Sequence, residues 1–311
     1  CISYSFTSPR TLERLRLGDA PVLRLENPLG EEHSVMRPLL LSGLLDAARH
    51  NAAHGRPDVA LFESAHVYLQ NDAAPSHLSV AGQQQDGTVR AGAAFPNGAT
   101  PAREPYHLGV LLTEAARAGW RSEPRTADFF AARALLEASM EAAGVKWHAV
   151  DGSRPFLHPG RAASVVASGG REIGWLGELH PLLVREWEVP GPVAAFEVDV
   201  DAIVELAAGR AETYSDVTSF PAVLQDIAVV VAEDVPAARV EEVVRAGGGD
   251  LLRSLRVFDL YRGEQVGEGR KSLALRLEFR ASDRTLTDEE VAERRAAIER
   301  ELAGIGGRLR A

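Results

Sequence analysis

The 311-residue chain carries 34 basic and 44 acidic side chains, a net charge of −10 with histidine neutral. That balance argues against non-specific nucleic-acid binding, and with no run of about 18 apolar residues no membrane-spanning helix is expected. The single cysteine, Cys1, rules out an internal disulfide and fits a reducing compartment, read here as cytoplasmic.

The chain opens on Cys rather than Met, and Ile2–Phe6 is already strand-like, so we read it as a piece of a longer protein with no targeting signal. Thr11–Leu17 predicts a short helix and Val22–Glu26 a strand ending at Asn27-Pro28-Leu29-Gly30. A helix through Ala53 follows, with Leu41, Leu44, Leu45 and Ala48 at helical spacing. Strands are predicted at Val59–Leu69, His77–Ala81 and Tyr106–Leu112, then a helix from Asp128 to about Gly144. Lys146–Val150, Ala162–Ala167 and Arg171–Gly177 read as strands, His180-Pro181 as a helix start, and Ala194–Val200 as a last strand before a linker at Ala207–Arg210.

Beyond the linker, Asp226–Ala232 is a β-prone run. Asp234-Val235-Pro236 opens a helix with Val240, Val243 and Val244 on one face, closed by Gly247-Gly248-Gly249. Two strands joined by a glycine-rich turn come next. In the second, Leu273, Leu275, Leu277 and Phe279 alternate with polar or small residues, the period of a half-buried strand. In the first, Phe258 and Leu260 suit the covered face, leaving Asp259 and Tyr261 on the open one beside Ser272 and Arg276. Thr287 with Glu290 is a capping box, Leu286 with Val291 a hydrophobic staple, and Arg308–Arg310 a closing strand. Strand, helix, strand, strand, helix, strand is the ferredoxin-like order.

An aromatic ring, a carboxylate, a hydroxyl and guanidinium groups on an open sheet suit unstacked RNA bases. Arg310 and its neighbour Arg308 extend that set. Tyr261 as core filler is the alternative, because its strand's alternation is imperfect at Val257. Neither half of the chain is a basic cloud: residues 212–311 hold 19 acidic and 15 basic side chains, a charge of −4, which leaves −6 for the rest. RNA contact would therefore be local and shape-dependent.

Ser219–Ala228, Phe258–Gly263, Lys271-Ser272-Leu273 and Thr285–Val291 resemble the ferredoxin-fold anticodon-binding domain that ends the β-subunit of bacterial phenylalanyl-tRNA synthetases. The first part is similar to the synthetase-like core of the same subunit. Asn27-Pro28-Leu29, Ser34–Pro38, Leu61-Phe62-Glu63, Asp128-Phe129-Phe130, His158–Arg161 and Leu176–Pro181 carry that likeness in order. Two departures stand out: Gln225 where the family usually has Arg, and Arg133-Ala134 where it prefers Lys-Gly.

The resemblance implies an α+β protein. Residues 1–205 would form a class II synthetase-like antiparallel sheet with helices, in a copy that has lost catalysis. Residues 214–311 would form a ferredoxin-like βαββαβ anticodon-binding domain. It implies a ligase of phenylalanine to tRNA(Phe), an α2β2 assembly in which the α-subunit catalyses. ATP and magnesium serve the parent enzyme, with no cofactor, metal or catalytic residue in this stretch. The implied partners are the α-subunit and tRNA(Phe), not DNA or a membrane. The anticodon role falls on Asp259, Tyr261, Ser272 and Arg310, with Arg276 and Arg308 beside them. Two alternatives stay open: an amino-acid-sensing regulatory protein with a degenerate synthetase core, and an assembly subunit without RNA contact.

Other motifs read as structural. The strand comparable to class II motif 2, Leu61–His66, lacks the arginine that would hold an ATP phosphate, and a motif-3 arginine is also missing. Gly269-Arg270-Lys271-Ser272 lacks the glycine before lysine and the strand-to-helix context of a phosphate loop, so it reads as a hairpin turn. His50 and His54 have metal spacing but no third ligand nearby. His158–Arg161 and His180-Pro181 read as turn and helix-start chemistry, with a vestigial pocket as the alternative. Asp288-Glu289-Glu290 reads as helix capping.

Overall fold

The computed structural model describes residues 1–70, 102–113, 115–116, 125–208 and 220–310. The chain divides into two compact units, Cys1–Ala211 and Glu212–Ala311. The first unit begins with β1 (Phe6–Thr7), α1 (Pro9–Arg14), β2 (Val35–Met36), α2 (Leu41–Ala53), β3 (Ala60–His66) and β4 (Leu69–Gln70). It continues with β5 (Ala102–Arg103), β6 (Tyr106–Thr113), β7 (Ala115–Ala116), β8 (Arg125–Thr126), α3 (Phe129–Ala143) and β9 (Trp147–Asp151). β10 (Leu157–Ala167), β11 (Glu172–Leu179), α4 (Pro181–Glu186), β12 (Val193–Asp199) and α5 (Val200–Ala207) complete it.

Among the described residues six strands form one antiparallel sheet in the order β3-β6-β12-β11-β10-β9. Both faces are covered, which explains the near-continuous apolar run of β12. Val193 and Ala195 join the cluster with α2 and α4, through Leu41, Leu44, Leu45, Leu183 and Trp187. Ala194, Phe196 and Val198 join the opposite cluster with Ala132, Leu136 and Met140 of α3.

One polar residue interrupts that run. Glu197 is 2% exposed; its Oε2 accepts from the Leu40 backbone N–H at 2.9 Å and its Oε1 lies 2.8 Å from Nδ1 of His107. Leu40 is the N-cap of α2 and offers no side-chain cap of its own, so the carboxylate from β12 does the capping. A second buried carboxylate, Glu63 on β3, pairs with Arg37 at 2.8 Å, joining two of the segments singled out in the sequence.

The local departures from the sequence pattern have identifiable causes. The helix expected at Thr11–Leu17 starts earlier, because the Ser8 side chain caps it at Thr11 and Pro9 suits its first turn. Val22–Glu26 forms only one bridge, Arg24 to Val35. The run Val59–Leu69 breaks after His66, where Val67 and Tyr68 donate to Pro105 and Arg37 rather than to a ladder. His77–Ala81 lies outside the described residues, as do residues 209–210 of the expected linker. β10 begins earlier than expected and carries His158–Arg161 as a bulge between the pairs Leu157–Leu179 and Ala162–Gly177.

The second unit contains β13 (Val223–Ala232), α6 (Ala237–Gly248), β14 (Leu252–Tyr261), β15 (Arg270–Phe279), α7 (Asp288–Ala303) and β16 (Arg308–Arg310). Its sheet order is β14-β15-β13-β16, all neighbours antiparallel, which is the ferredoxin-like arrangement. Leu273, Leu275, Leu277 and Phe279 are between 0 and 3% exposed and share a cluster with Val240, Val244, Val291, Ile298 and Leu302. The capping box at Thr287 and Glu290 is present. α6 and α7 touch closely at Gly247, where a Cβ would come 2.6 Å from Cα of Ile298. Both helices lie on one side, so the other face of the sheet carries no helix of this unit.

Candidate nucleic-acid interface

That helix-free face is read from strand register, since residues directly opposite one another share a side. Tyr261, Ser272, Val230 and Arg308 form one row across the four strands, and Asp259, Ala274, Ala228 and Arg310 the next. Arg256, Arg276 and Asp226 form a third. The six residues singled out in the sequence, Asp259, Tyr261, Ser272, Arg276, Arg308 and Arg310, thus stand on one side of the sheet.

Their availability differs. Arg276 is bound twice to Asp226, Nε to Oδ1 at 2.8 Å and Nη2 to Oδ2 at 2.7 Å. The guanidinium bonds, and then its charge, hold the exposed Asp226 carboxyl below its ordinary value. Arg310 bonds Oε1 of Gln265 in the β14–β15 loop, and its guanidinium carbon lies 5.8 Å from the centre of the Tyr261 ring. β16 and β14 are opposite edges of the sheet, so Arg310 reaches across the middle strands. Ala228 and Ala274, both small, leave the trough it follows. Ser272, expected to be open, stands on the open side yet is only 4% exposed. Tyr261 and Val230 flank it in its row, and Arg310 passes over the sheet between the edges.

Two further features were missed in the sequence. Arg256 shares a row with Arg276 and is exposed; like Arg308, it makes no ion pair or hydrogen bond among the described residues. Phe258, expected on the covered face with Leu260, is 51% exposed, and Leu260, at the sheet edge, is 44% exposed. A β-bulge lies between Val257, opposite Leu275, and Asp259, opposite Ala274. Val257 takes the place against the core that alternation gave to Phe258. The imperfection at Val257 was the signal for that bulge.

The remaining cations near the hairpin are held structurally. Arg262 binds Oε1 of Glu233 through Nε at 2.9 Å and Nη2 at 2.7 Å, Lys271 donates to the Glu233 carbonyl, and Arg270 donates to the Gly306 carbonyl. Gly269 adopts φ of 70°, as a turn requires. Gln225 lies one residue before Asp226, and its Oε1 is buried without a hydrogen-bond partner.

The first unit's candidates resolve into local structure. His54 Nδ1 meets the His50 carbonyl at the end of α2. His158 Nδ1 accepts from Gly160 N–H, and His180 Nδ1 accepts from Leu182 N–H as the cap of α4. Burial, then Arg16 and His158, lower the pKa of His180 and favour that acceptor form. Arg161 and Glu178 pair at 2.6 Å in a cleft of about 560 Å³ that Asp128, Phe129 and Phe130 also line. Among the described residues no group of three His, Cys, Asp or Glu side chains could hold a metal ion.

Residues 1–200 match the phenylalanyl tRNA synthetase beta chain CLM domain, and residues 218–310 match the ferredoxin-fold anticodon binding domain. The chain is 40% identical to the phenylalanine–tRNA ligase beta subunit of Symbiobacterium thermophilum, over 99% of this chain and 32% of that protein. It is 39% identical to the beta subunit of Moorella thermoacetica, over 97% of this chain and 35% of that one, and 38% identical to that of Thermobifida fusca, over 93% and 35%. The chain thus spans about a third of the length of the curated relatives it matches. With both of its units matched in order, the chain belongs to the phenylalanyl-tRNA synthetase β chain family.

Proposed function

We propose that this chain works as part of the β-subunit of a cytoplasmic phenylalanine–tRNA ligase, an α2β2 enzyme. Residues 1–205 scaffold the catalytic α-subunit and perform no adenylation themselves. Residues 214–311 bind the anticodon region of tRNA(Phe). ATP and magnesium serve the parent enzyme through residues outside this chain.

The observation that carries the proposal is the helix-free sheet face with Asp259, Tyr261, Arg308 and Arg310 in two adjacent rows, in the unit that matches an anticodon binding domain. Tyr261, 38% exposed, supplies a stacking plane worth roughly 1–3 kcal/mol per base. Asp259 accepts from base edges, and Arg308 and Arg310 suit phosphate or a base. Ser272, between Tyr261 and Val230 in the first of those rows, adds a hydroxyl beside the ring. In the first unit the strand that would carry the ATP-binding arginine holds Glu63 instead, committed to Arg37.

Tyr261→Ala in the assembled enzyme tests this. The expected result is weaker tRNA binding with phenylalanine-dependent pyrophosphate exchange intact. An unchanged Michaelis constant for tRNA would refute the RNA role and favour a subunit that only assembles.

A further inference from the structure

The bulge in β14 exposes a second aromatic ring on the face that holds Tyr261. Regular alternation along Val257-Phe258-Asp259-Leu260-Tyr261 would send Phe258 into the core. The extra residue in the ladder gives that place to Val257 and leaves the Phe258 ring 51% exposed. The ring stands beside Arg276, whose guanidinium carbon lies 5.4 Å from its centre. Arg276 belongs to the open face by register and is fixed there by its two bonds to Asp226.

Tyr261 is presented in the same way, with Arg310 at 5.8 Å and Gln265 holding Arg310. The face therefore carries two aromatic–arginine pairs, with Asp259 between the rings along the strand. Tyr261 lies three residue steps along the strand from Phe258, a span of about 10 Å. That is too far for one base and within reach of neighbouring nucleotides in an unstacked single strand. Arg256, exposed one row-position away and without a partner among the described residues, places positive charge at the Phe258 end as Arg308 does at the Tyr261 end.

We propose that Phe258 is a second stacking station, holding an unstacked base of the same RNA segment that Tyr261 engages. This rests on the proposed RNA role of the second unit. The chemistry of the site is a plane backed by a fixed cation, which selects any base with an exposed π-face and not a particular hydrogen-bonding edge.

The test is equilibrium binding of the full chain to the tRNA(Phe) anticodon stem-loop, and to the same RNA with a single abasic nucleotide moved through the loop. Phe258→Ala and Phe258→Leu should each weaken binding by about 5- to 150-fold, while Phe258→Trp, which keeps the plane, stays near native. Phe258→Leu keeps apolar bulk beside Arg276 and decides the matter should the alanine variant melt early. An abasic site that erases the effect of Phe258→Leu should lie at a different nucleotide from the one that erases the effect of Tyr261→Ala. If Tyr261→Ala weakens binding and Phe258→Leu does not, the second station is wrong and the RNA role stands. One abasic position erasing both effects would likewise reduce the face to a single station. If neither variant changes binding, the RNA role itself falls.

Discussion

Removing Arg37 should cost the first unit far more than an arginine on a surface would. Its Nη1 lies 2.8 Å from Oε1 of Glu63, with the two side chains 4% and 2% exposed. Arg37 also donates to the His66 carbonyl at 3.0 Å and to Oγ of Ser3 at 2.9 Å, so it ties β3 to the segment before α1. Without it, Glu63 retains, among the described residues, only the Ser3 hydroxyl at 2.6 Å and the Ser3 N–H at 3.2 Å. Breaking a buried pair from one side costs about 3–5 kcal/mol, because a charge stays behind without its partner. For a unit of this size that corresponds to a fall in Tm of roughly 6–20 °C.

The pH dependence separates charge from packing. Burial alone would raise the Glu63 carboxyl, but its bonds to Ser3 and Arg37 outweigh burial and hold it below its ordinary value. The native pair therefore contributes stability above the unfolded carboxylate pKa, and this is lost as pH falls through the lowered folded value. In Arg37→Met the sign reverses: the unpaired buried carboxyl rises, and protonating it relieves the folded state. Urea unfolding followed by circular dichroism should show the gap between native and Arg37→Met proteins shrinking from about pH 8 to about pH 5. Adding Glu63→Leu to Arg37→Met should recover much of the loss. A penalty below about 1 kcal/mol, or one that stays constant with pH, would show that the pair's charge does not matter.

Two other substitutions test one position in each unit, a helix cap in the first and the setting of Tyr261 in the second. Glu197→Ala strips the cap from α2 and leaves the Leu40 N–H buried without an acceptor, which should cost about 1–3 kcal/mol by denaturant unfolding; a neutral result would mean that α2 does not need that carboxylate. Gly263→Ala should push the Tyr261 ring aside, since a Cβ there would meet its hydroxyl at 2.5 Å and its Cζ at 2.8 Å. Weaker tRNA binding with an unchanged melting temperature is expected, and native affinity would show that the ring's position is not set by Gly263.

Much of the second unit is legible in residue type because its governing forces are local. A period of two over Leu273–Phe279 fixes which side of β15 is buried, and the Thr287–Glu290 spacing fixes where α7 begins. What the pattern hides depends on long-range partners. The bulge at Phe258 changes the register of one strand against another, and alternation marks it only as a flaw at Val257. The burial of Ser272 goes with its place between Tyr261 of β14 and Val230 of β13, a relation that strand pairing reveals and alternation along one strand does not. Glu197 and Arg37 read as ordinary polar residues until the fold sets one at the end of α2 and the other against Glu63.

The charge distribution bears on how an acidic chain could hold RNA. Residues 212–311 carry −4, so long-range attraction does not draw a polyanion to this unit. Within the open face, however, the cations are not equivalent. Asp226 neutralises Arg276, which therefore contributes a fixed plane behind Phe258 more than net charge. Gln265 holds Arg310 without neutralising it, so that guanidinium keeps its full charge beside Tyr261. Arg256 and Arg308 are committed to nothing among the described residues. The face thus pairs orientation at one aromatic with uncompensated charge at the other. On the proposed reading, affinity arises at short range, where a base already stacked brings its phosphate within reach of Arg308 or Arg310. On the same reading, selectivity against duplex RNA and duplex DNA would follow, because paired, stacked bases cannot offer their faces to either ring.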